Sequence, residues 1–181
     1  MRPGSRTLAA LWGFAEATLF FIVPDVLLTS LALTSLGKAL WAALVAALAA
    51  TTGGILVWYC AAHDPEATRG VLVHVPGISK TSFTTVQQLL ESGLFDGMLH
   101  GAFSGVPYKI FAAEAGLSGT GLAQFALLSP IVRLPRFVVM SLIAWGLSRL
   151  VGGRLPDRQK LGISLALWAV FYVFYFALVG W

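Results

Sequence analysis

Charged residues and cysteines are scarce in this chain. Only 11% of its 181 residues are charged and 57% are hydrophobic, whereas about a quarter of the residues in soluble domains are charged. The mean hydropathy of +0.82 excludes an ordinary soluble domain and predicts a protein that resides in lipid. The single cysteine, Cys60, excludes an intrachain disulfide and a cysteine-rich metal site.

The length leaves room for one membrane domain. A spanning helix needs about 20 apolar residues, so we expect a single domain over residues 1–181. The first apolar run begins near Leu8 and reaches Pro24 without a small-residue cleavage site, so we expect it to stay in the protein. The net charge of +4 is compatible with nucleic-acid binding, but the bases gather in one linker at 149–160, as in cytoplasmic loops of membrane proteins. We therefore expect no nucleic-acid partner.

Two apolar stretches are interrupted by proline. The first, from 8 to about 36, is too long for one span and is broken at Pro24. We expect a re-entrant hairpin with Pro24 at its tip, the alternative being one kinked and tilted span. The second, from about 95 to 117, is broken around Gly105 and Pro107. The same plan therefore appears twice.

A long apolar span follows each interrupted stretch. The first covers 39–62, and small residues recur in it at every fourth position, at Ala42, Ala46, Ala50 and Gly54. Such a ridge could pack against a helix of the same chain or of a second copy, so a homo-oligomer stays open. The second span covers 122–150 and is interrupted by two prolines, Pro130 and Pro135.

A polar section at 63–96 separates the two halves. Phe83, Val86 and Leu89 recur in it at helical spacing with polar residues between them. This pattern predicts one amphipathic surface helix outside the bilayer. A plain apolar span over 161–181 ends the chain.

Charge bias indicates inverted repeats. We predict an all-α integral membrane fold in which repeat 1 (8–62) and repeat 2 (97–150) each form a re-entrant hairpin followed by a span, with a C-terminal span added. If Arg2, Lys38 and the 149–160 linker are cytoplasmic, the two hairpins enter from opposite sides and the C-terminus lies outside. In such folds the substrate site lies near the midplane, where the broken helices meet.

Six charged residues fall within the apolar segments, where each costs at least about 2.5–3.5 kcal/mol at the centre of a lipid-facing helix. The acids are Glu16, Asp25 and Glu114, and the bases are Lys109, Arg133 and Arg136. They must therefore face one another or water. One interpretation is ion pairing that only holds the hairpins together. A functional role is favoured because Asp25 and Lys109 adjoin the two breaks, where helix termini already provide an ion site.

The bases and the acids suit different tasks. Arg133 and Arg136 lie on one helical face and, with Lys109, could bind a phosphate, which arginine grips with two parallel hydrogen bonds. Alternatively, the arginines extend toward an interface. The three acids, once removed from water, could take up and release protons near neutral pH, as a proton-coupled carrier requires.

Several short motifs occur in a fixed order along residues 8 to about 152. They are Phe14-Ala15-Glu16-Ala17-Thr18, Val23-Pro24-Asp25-Val26-Leu27-Leu28, Gly53-Gly54 with Tyr59, Phe103-Ser104-Gly105-Val106-Pro107-Tyr108-Lys109 with Ala115-Gly116, and Arg133-Leu134-Pro135-Arg136-Phe137. In this order they resemble the DedA superfamily of membrane proteins, also called the VTT or SNARE-associated domain family. The resemblance is greatest to its small YqaA-like branch.

The resemblance implies two re-entrant hairpins in inverted repeats and a role in moving polyprenyl phosphate or phospholipid across the bacterial inner membrane, often with proton dependence. It implies that Glu16 and Asp25 are the family's essential acids and that Lys109 is a basic residue of the second hairpin. Two positions depart from the family pattern. Ala102 stands where the family often has arginine, and Ile55 stands where it often has an acid. We expect no cofactor.

Two other functions would use the same segments differently. In a non-transporting role in membrane organisation or assembly, the broken helices would only bind partners. An intramembrane serine protease is suggested by Ser104 with His100 nearby, but Ala102 departs from the Gly-x-Ser-Gly motif and no later histidine supplies a base. His63 and His74 lack the spacing of a metal site. We therefore expect a transporter rather than an enzyme.

Overall fold

A computed structural model of the protein describes residues 3–179, with side chains for residues 6–178. Over this range the chain is helical and contains no strand. Arg2, which charge bias predicts on the cytoplasmic side, and Trp181, the end of the expected last span, lie outside the described residues.

Helices follow one another with short connections. In chain order they are α1 Pro3–Thr18, α2 Asp25–Ala32, α3 Leu36–His63, α4 Pro65–Leu72, α5 Lys80–Leu90, α6 Leu94–Ser104, α7 Tyr108–Leu117, α8 Leu122–Val151 and α9 Asp157–Val179, with a 3-10 turn at Gly152–Arg154. Among the described helices, α3, α8 and α9 are long and apolar enough to cross a membrane. The chain is therefore a membrane protein by the length and composition of its helices.

The first interrupted stretch forms two separate helices. α1 ends at Thr18 and α2 begins at Asp25, with Pro24 at the N-cap position. The connection between the two helices covers residues 19–24, whereas the sequence predicted a tip at Pro24 alone. Side chains from elsewhere bind its backbone: the Trp12 indole N–H, for example, donates to the carbonyl oxygen of Ile22 at 2.9 Å. Such partners are needed because non-helical backbone in apolar surroundings has no water to bond.

The second interrupted stretch breaks between α6 and α7. Gly105 follows α6 with φ +81°, a left-handed conformation that glycine adopts without steric cost. Pro107 then stands at the N-cap of α7, where its missing N–H is no loss. Glycine thus ends one helix and proline precedes the next.

The prolines at Pro130 and Pro135 do not interrupt α8, and that prediction was wrong. The helix continues through both from Leu122 to Val151. A proline removes one backbone hydrogen bond, but the remaining bonds are retained where no water competes for them. α8 packs against α2, α3 and α6, and neighbouring helices of this kind let a membrane helix tolerate proline.

The polar section is more helical than its sequence pattern predicts. α5 confirms the amphipathic helix, with Phe83 and Val86 buried. α4 was not predicted, although its start carries a recognisable signal. The Asp64 side chain accepts a hydrogen bond from the Ala67 backbone N–H at 3.0 Å, and Pro65 occupies the first helical position.

The centre of the fold is α3, which packs against α1, α2, α7 and α8. Its small-residue ridge is used within the chain, since Ala42, Ala46 and Ala50 are fully buried. Opposite the ridge, Gly13 of α1 lies so close that a Cβ there would meet the Ala46 backbone. Gly54 likewise faces the Tyr108 hydroxyl of α7. Small residues thus bring the backbones of neighbouring helices into contact.

Substitution of Gly13 should test this close packing. A Cβ at this position would lie 2.9 Å from the Ala46 Cα, and overpacking of this kind costs about 1–3 kcal/mol. We expect Gly13→Ala to lower the Tm in detergent by several degrees. Gly37→Ala is the matched control because a Cβ added at Gly37 would meet no atom within 4 Å. Equal Tm values for the two variants would contradict the close α1–α3 contact.

Candidate functional site

A cavity of about 90 Å³ lies where the two helix breaks meet. Pro24 from the first break and Gly105 and Pro107 from the second line it. Aromatic side chains of α9, including Phe171 and Tyr172, bound the cavity as well. Segments that are far apart in the sequence therefore line the same cavity.

Five of the six charged residues in the apolar segments line this cavity. They are Glu16 of α1, Asp25 of α2, Lys109 of α7, and Arg133 and Arg136 of α8. The acids come from the first half of the chain and the bases from the second. Three bases and two acids leave one positive charge in excess when all five groups are ionised.

Arg133 and Glu16 form an ion pair between α8 and α1. The Arg133 Nη2 donates to Glu16 Oε2 at 2.5 Å, and both side chains are 8% exposed. The guanidinium also lies over the Tyr108 ring, 4.2 Å from its centroid, a favourable cation–π arrangement. The Tyr108 hydroxyl donates to Ser129 Oγ at 2.7 Å. Arg133 is thus held by its ion pair with Glu16 and by stacking on Tyr108, and Tyr108 is itself held by its hydrogen bond to Ser129.

Asp25 and Arg136 form a second and looser pair. The Arg136 Nη2 lies 3.1 Å from Asp25 Oδ2, but neither oxygen of Asp25 makes an aligned hydrogen bond within the described part of the chain. The Asp25 residue is fully buried. A buried carboxylate without hydrogen bonds is costly. Asp25 therefore retains a capacity to accept a proton or a ligand's N–H or O–H group.

Arg136 and Lys109 also bind backbone carbonyl groups near the breaks. The Arg136 Nη1 donates to the carbonyl oxygen of Ala102 at 2.9 Å. The Lys109 Nζ donates to that of Phe20, in the first break, at 2.8 Å. Bases of the second half thus bind the first break directly and the last turn of α6, just before the second break. In the first break, the Val23 backbone N–H donates to the Tyr172 hydroxyl oxygen at 2.8 Å.

Glu114 lies apart from this cavity. Its Oε1 accepts from Arg69 Nη2 at 2.6 Å and its Oε2 accepts from Gln87 Nε2 at 2.9 Å. Both oxygens therefore bind residues of the polar section, which ties α7 to α4 and α5. The structure separates Glu114 from Glu16 and Asp25, with which the sequence pattern grouped it.

Tyr108 and Tyr172 are site residues that the sequence pattern did not single out. Tyr108 adjoins Lys109 and stacks on Arg133, so its place after Pro107 was an available signal. Tyr172 lies in the last apolar span, which was interpreted as a plain anchor. The only signal at Tyr172 was a hydroxyl group within an apolar run. Tyrosine is common at the ends of such runs, so this signal did not indicate a site residue.

The fold and the cavity define a helical membrane protein with a buried cluster of charges between its two halves. No family model matches the chain, and no solved structure matches it. An uncharacterized protein from Haemophilus influenzae is 27% identical over 175 residues, which cover 94% of this chain and 88% of that protein. The similarity therefore extends over both halves of the chain.

The Glu16–Arg133 pair should show strong coupling in a double-mutant cycle. Removing one partner of a buried ion pair costs about 3–5 kcal/mol because the other charge stays buried, whereas removing both costs much less. We expect Arg133→Met to lower the free energy of unfolding in detergent by more than the double variant Glu16→Gln/Arg133→Met does.

The pair Asp157–Lys160 provides the control cycle. Its atoms are 3.9 Å apart and Asp157 is 70% exposed, so its coupling should stay below about 1 kcal/mol. Additive losses in both cycles would show that Arg133 does not depend on Glu16.

Proposed function

We propose that this protein moves a lipid phosphate across the bacterial inner membrane, as the DedA-type proteins that it resembles are implicated in doing. The substrate would be a polyprenyl phosphate or a phospholipid. The observation that carries the proposal is the cavity lined by Lys109, Arg133, Arg136, Glu16 and Asp25 at the junction of both breaks. With all five groups ionised the cavity carries one excess positive charge, which favours an anionic ligand such as a phosphate. An uncompensated charge at such depth is costly.

The lengths of the broken helices support a re-entrant arrangement. α2 has 8 residues and α7 has 10, which corresponds to about 12 and 15 Å at 1.5 Å per residue. Neither can cross a hydrocarbon core about 30 Å thick. We infer that α1–α2 and α6–α7 are re-entrant hairpins of two inverted repeats, each followed by a span, α3 or α8. On charge bias, the N-terminus and the 149–160 linker are cytoplasmic and the C-terminus is outside.

Phosphate and the carboxylates would compete for the same bases. Each arginine of the cavity holds an acid: Arg133 holds Glu16 and Arg136 holds Asp25. A phosphate that takes the N–H donors of the arginines leaves the acids buried and unpaired. Proton uptake by the acids removes that cost. Lipid entry would therefore be coupled to protonation, first of Asp25 because its pair is the looser one.

Arg136 also bears on a departure from the family pattern. Ala102 stands where the resemblance leads one to expect arginine. The guanidinium of Arg136 binds the carbonyl oxygen of Ala102 and so brings a positive charge next to that position. This supports a phosphate site in which Arg136 supplies the positive charge that the expected arginine at position 102 would have supplied.

Removal of a cavity base should slow lipid movement. We expect Lys109→Gln and Arg136→Gln in proteoliposomes to reduce the transbilayer movement of radiolabelled polyprenyl phosphate and fluorescent phosphatidic acid by roughly tenfold or more, since each loses a charged hydrogen bond. The exposed Lys38 of α3 supplies the control Lys38→Gln, which should move lipid at the wild-type rate. If wild-type protein moves no more lipid than empty liposomes, transport is wrong and a role in membrane organisation is favoured.

Substitution of Asp25 should alter the pH response. Wild-type lipid movement should become faster as the pH on the loading side falls, because phosphate entry requires protonated acids. Asp25→Asn resembles the protonated state, so the rate should change much less between about pH 8 and about pH 5.5. The exposed Asp157 of α9 gives the control Asp157→Asn, with a wild-type pH response. A full pH response in Asp25→Asn would refute coupling through this residue.

A further inference from the structure

A second cavity, of about 420 Å³, opens between α2, α8 and α9. This α2–α8–α9 crevice has a mostly apolar lining, with side chains that include Leu33, Met140, Ile143, Leu147, Leu167 and Phe171. Its volume lies within the range of about 300–1,000 Å³ that is typical of ligand pockets. Only a small part of its lining is shared with the charged cavity, through Phe171. The crevice is therefore a separate site.

The crevice is long. Its lining extends along α9 from Lys160 to Phe171 and along α8 from Met140 to Val151, which corresponds to about 16 Å along each helix axis. Its length and its apolar lining fit an extended hydrocarbon chain.

One end of the crevice is basic. The Lys160 side chain is 12% exposed, and its Nζ donates to the Ser148 carbonyl oxygen at a long 3.3 Å and lies 3.9 Å from Asp157 Oδ1. An ammonium group has three N–H donors, so Lys160 can bind a further anionic oxygen. At the other end, the Trp168 indole N–H is fixed by Thr29 Oγ1 at 3.0 Å.

We propose that the α2–α8–α9 crevice binds one hydrocarbon chain of an anionic phospholipid whose headgroup contacts Lys160. Basic pockets between spanning helices at a membrane surface bind anionic headgroups. The chain would lie in apolar surroundings both in the crevice and in the bilayer, so burial alone gives little preference. Selectivity for anionic lipid must therefore come from Lys160. This site does not depend on the transport proposal, since it requires none of the cavity charges.

Trp168 lies in the crevice and can report a bound chain. The full-length protein is placed in phosphatidylcholine liposomes with an equal fraction of phosphatidylglycerol or phosphatidylcholine brominated at mid-chain. The fluorescence of Trp168 is obtained by subtracting the emission of the Trp168→Phe variant from that of the wild-type protein. We expect brominated phosphatidylglycerol to quench this signal at least twice as strongly as brominated phosphatidylcholine does.

The preference should disappear in Lys160→Gln. Arg158→Gln is the matched control because it removes the same charge two residues away, from an exposed side chain outside the crevice. It should keep the preference. Ala144→Leu, which fills the crevice, should weaken quenching by both lipids, whereas Ala166→Leu on the exposed face of α9 should not.

Equal quenching by the two lipids in the wild type would overturn the proposal, as would a preference that survives Lys160→Gln. Absence of quenching by either lipid would also overturn it, because no lipid chain would then lie against Trp168, and it would favour a crevice covered by a second copy of the chain.

Discussion

The buried ion pair between Glu16 and Arg133 is the interaction on which the arrangement of the two halves depends. Neither charge is tolerated alone in apolar surroundings, so α1 and α8 must lie close enough for the two side chains to meet. The pair is stable because Arg133 has further partners, above all the ring of Tyr108. Tyr108 begins α7, directly after the second break. The position of that break is therefore tied to the same pair.

Close helix packing makes this pair geometrically possible. Short side chains on α3 let α1, α7 and α8 approach one backbone from several sides, and the contact of Gly54 with the Tyr108 hydroxyl is part of this packing. The continuity of α8 matters equally. Because the helix passes through Pro135 without a break, Arg133 and Arg136 keep the three-residue spacing that directs both toward one cavity. An interrupted α8 would have separated them.

The sequence predicted the features that local chemistry determines. Glycine followed by proline specifies a helix break at Gly105 and Pro107, and the cost of charge in lipid selects the residues that need partners. Which residue becomes the partner of each charge depends on tertiary structure, so it could not be predicted from a single sequence. Glu114 shows this: its partner Arg69 lies 45 residues away in the polar section, so membership of an apolar run did not indicate which acids share a site.

The boundary formed by α9 is the least strongly held side of both cavities. This helix packs mainly against α2, and most of its surface is apolar and exposed. Its described polar links to the rest of the fold include single hydrogen bonds from or to Trp168, Tyr172 and Tyr175, each contributing about 1 kcal/mol. In contrast, α1 and α8 are joined by a buried ion pair. Of the helices that border both cavities, α2, α8 and α9, the last is therefore held least strongly, and its Phe171 lines both spaces.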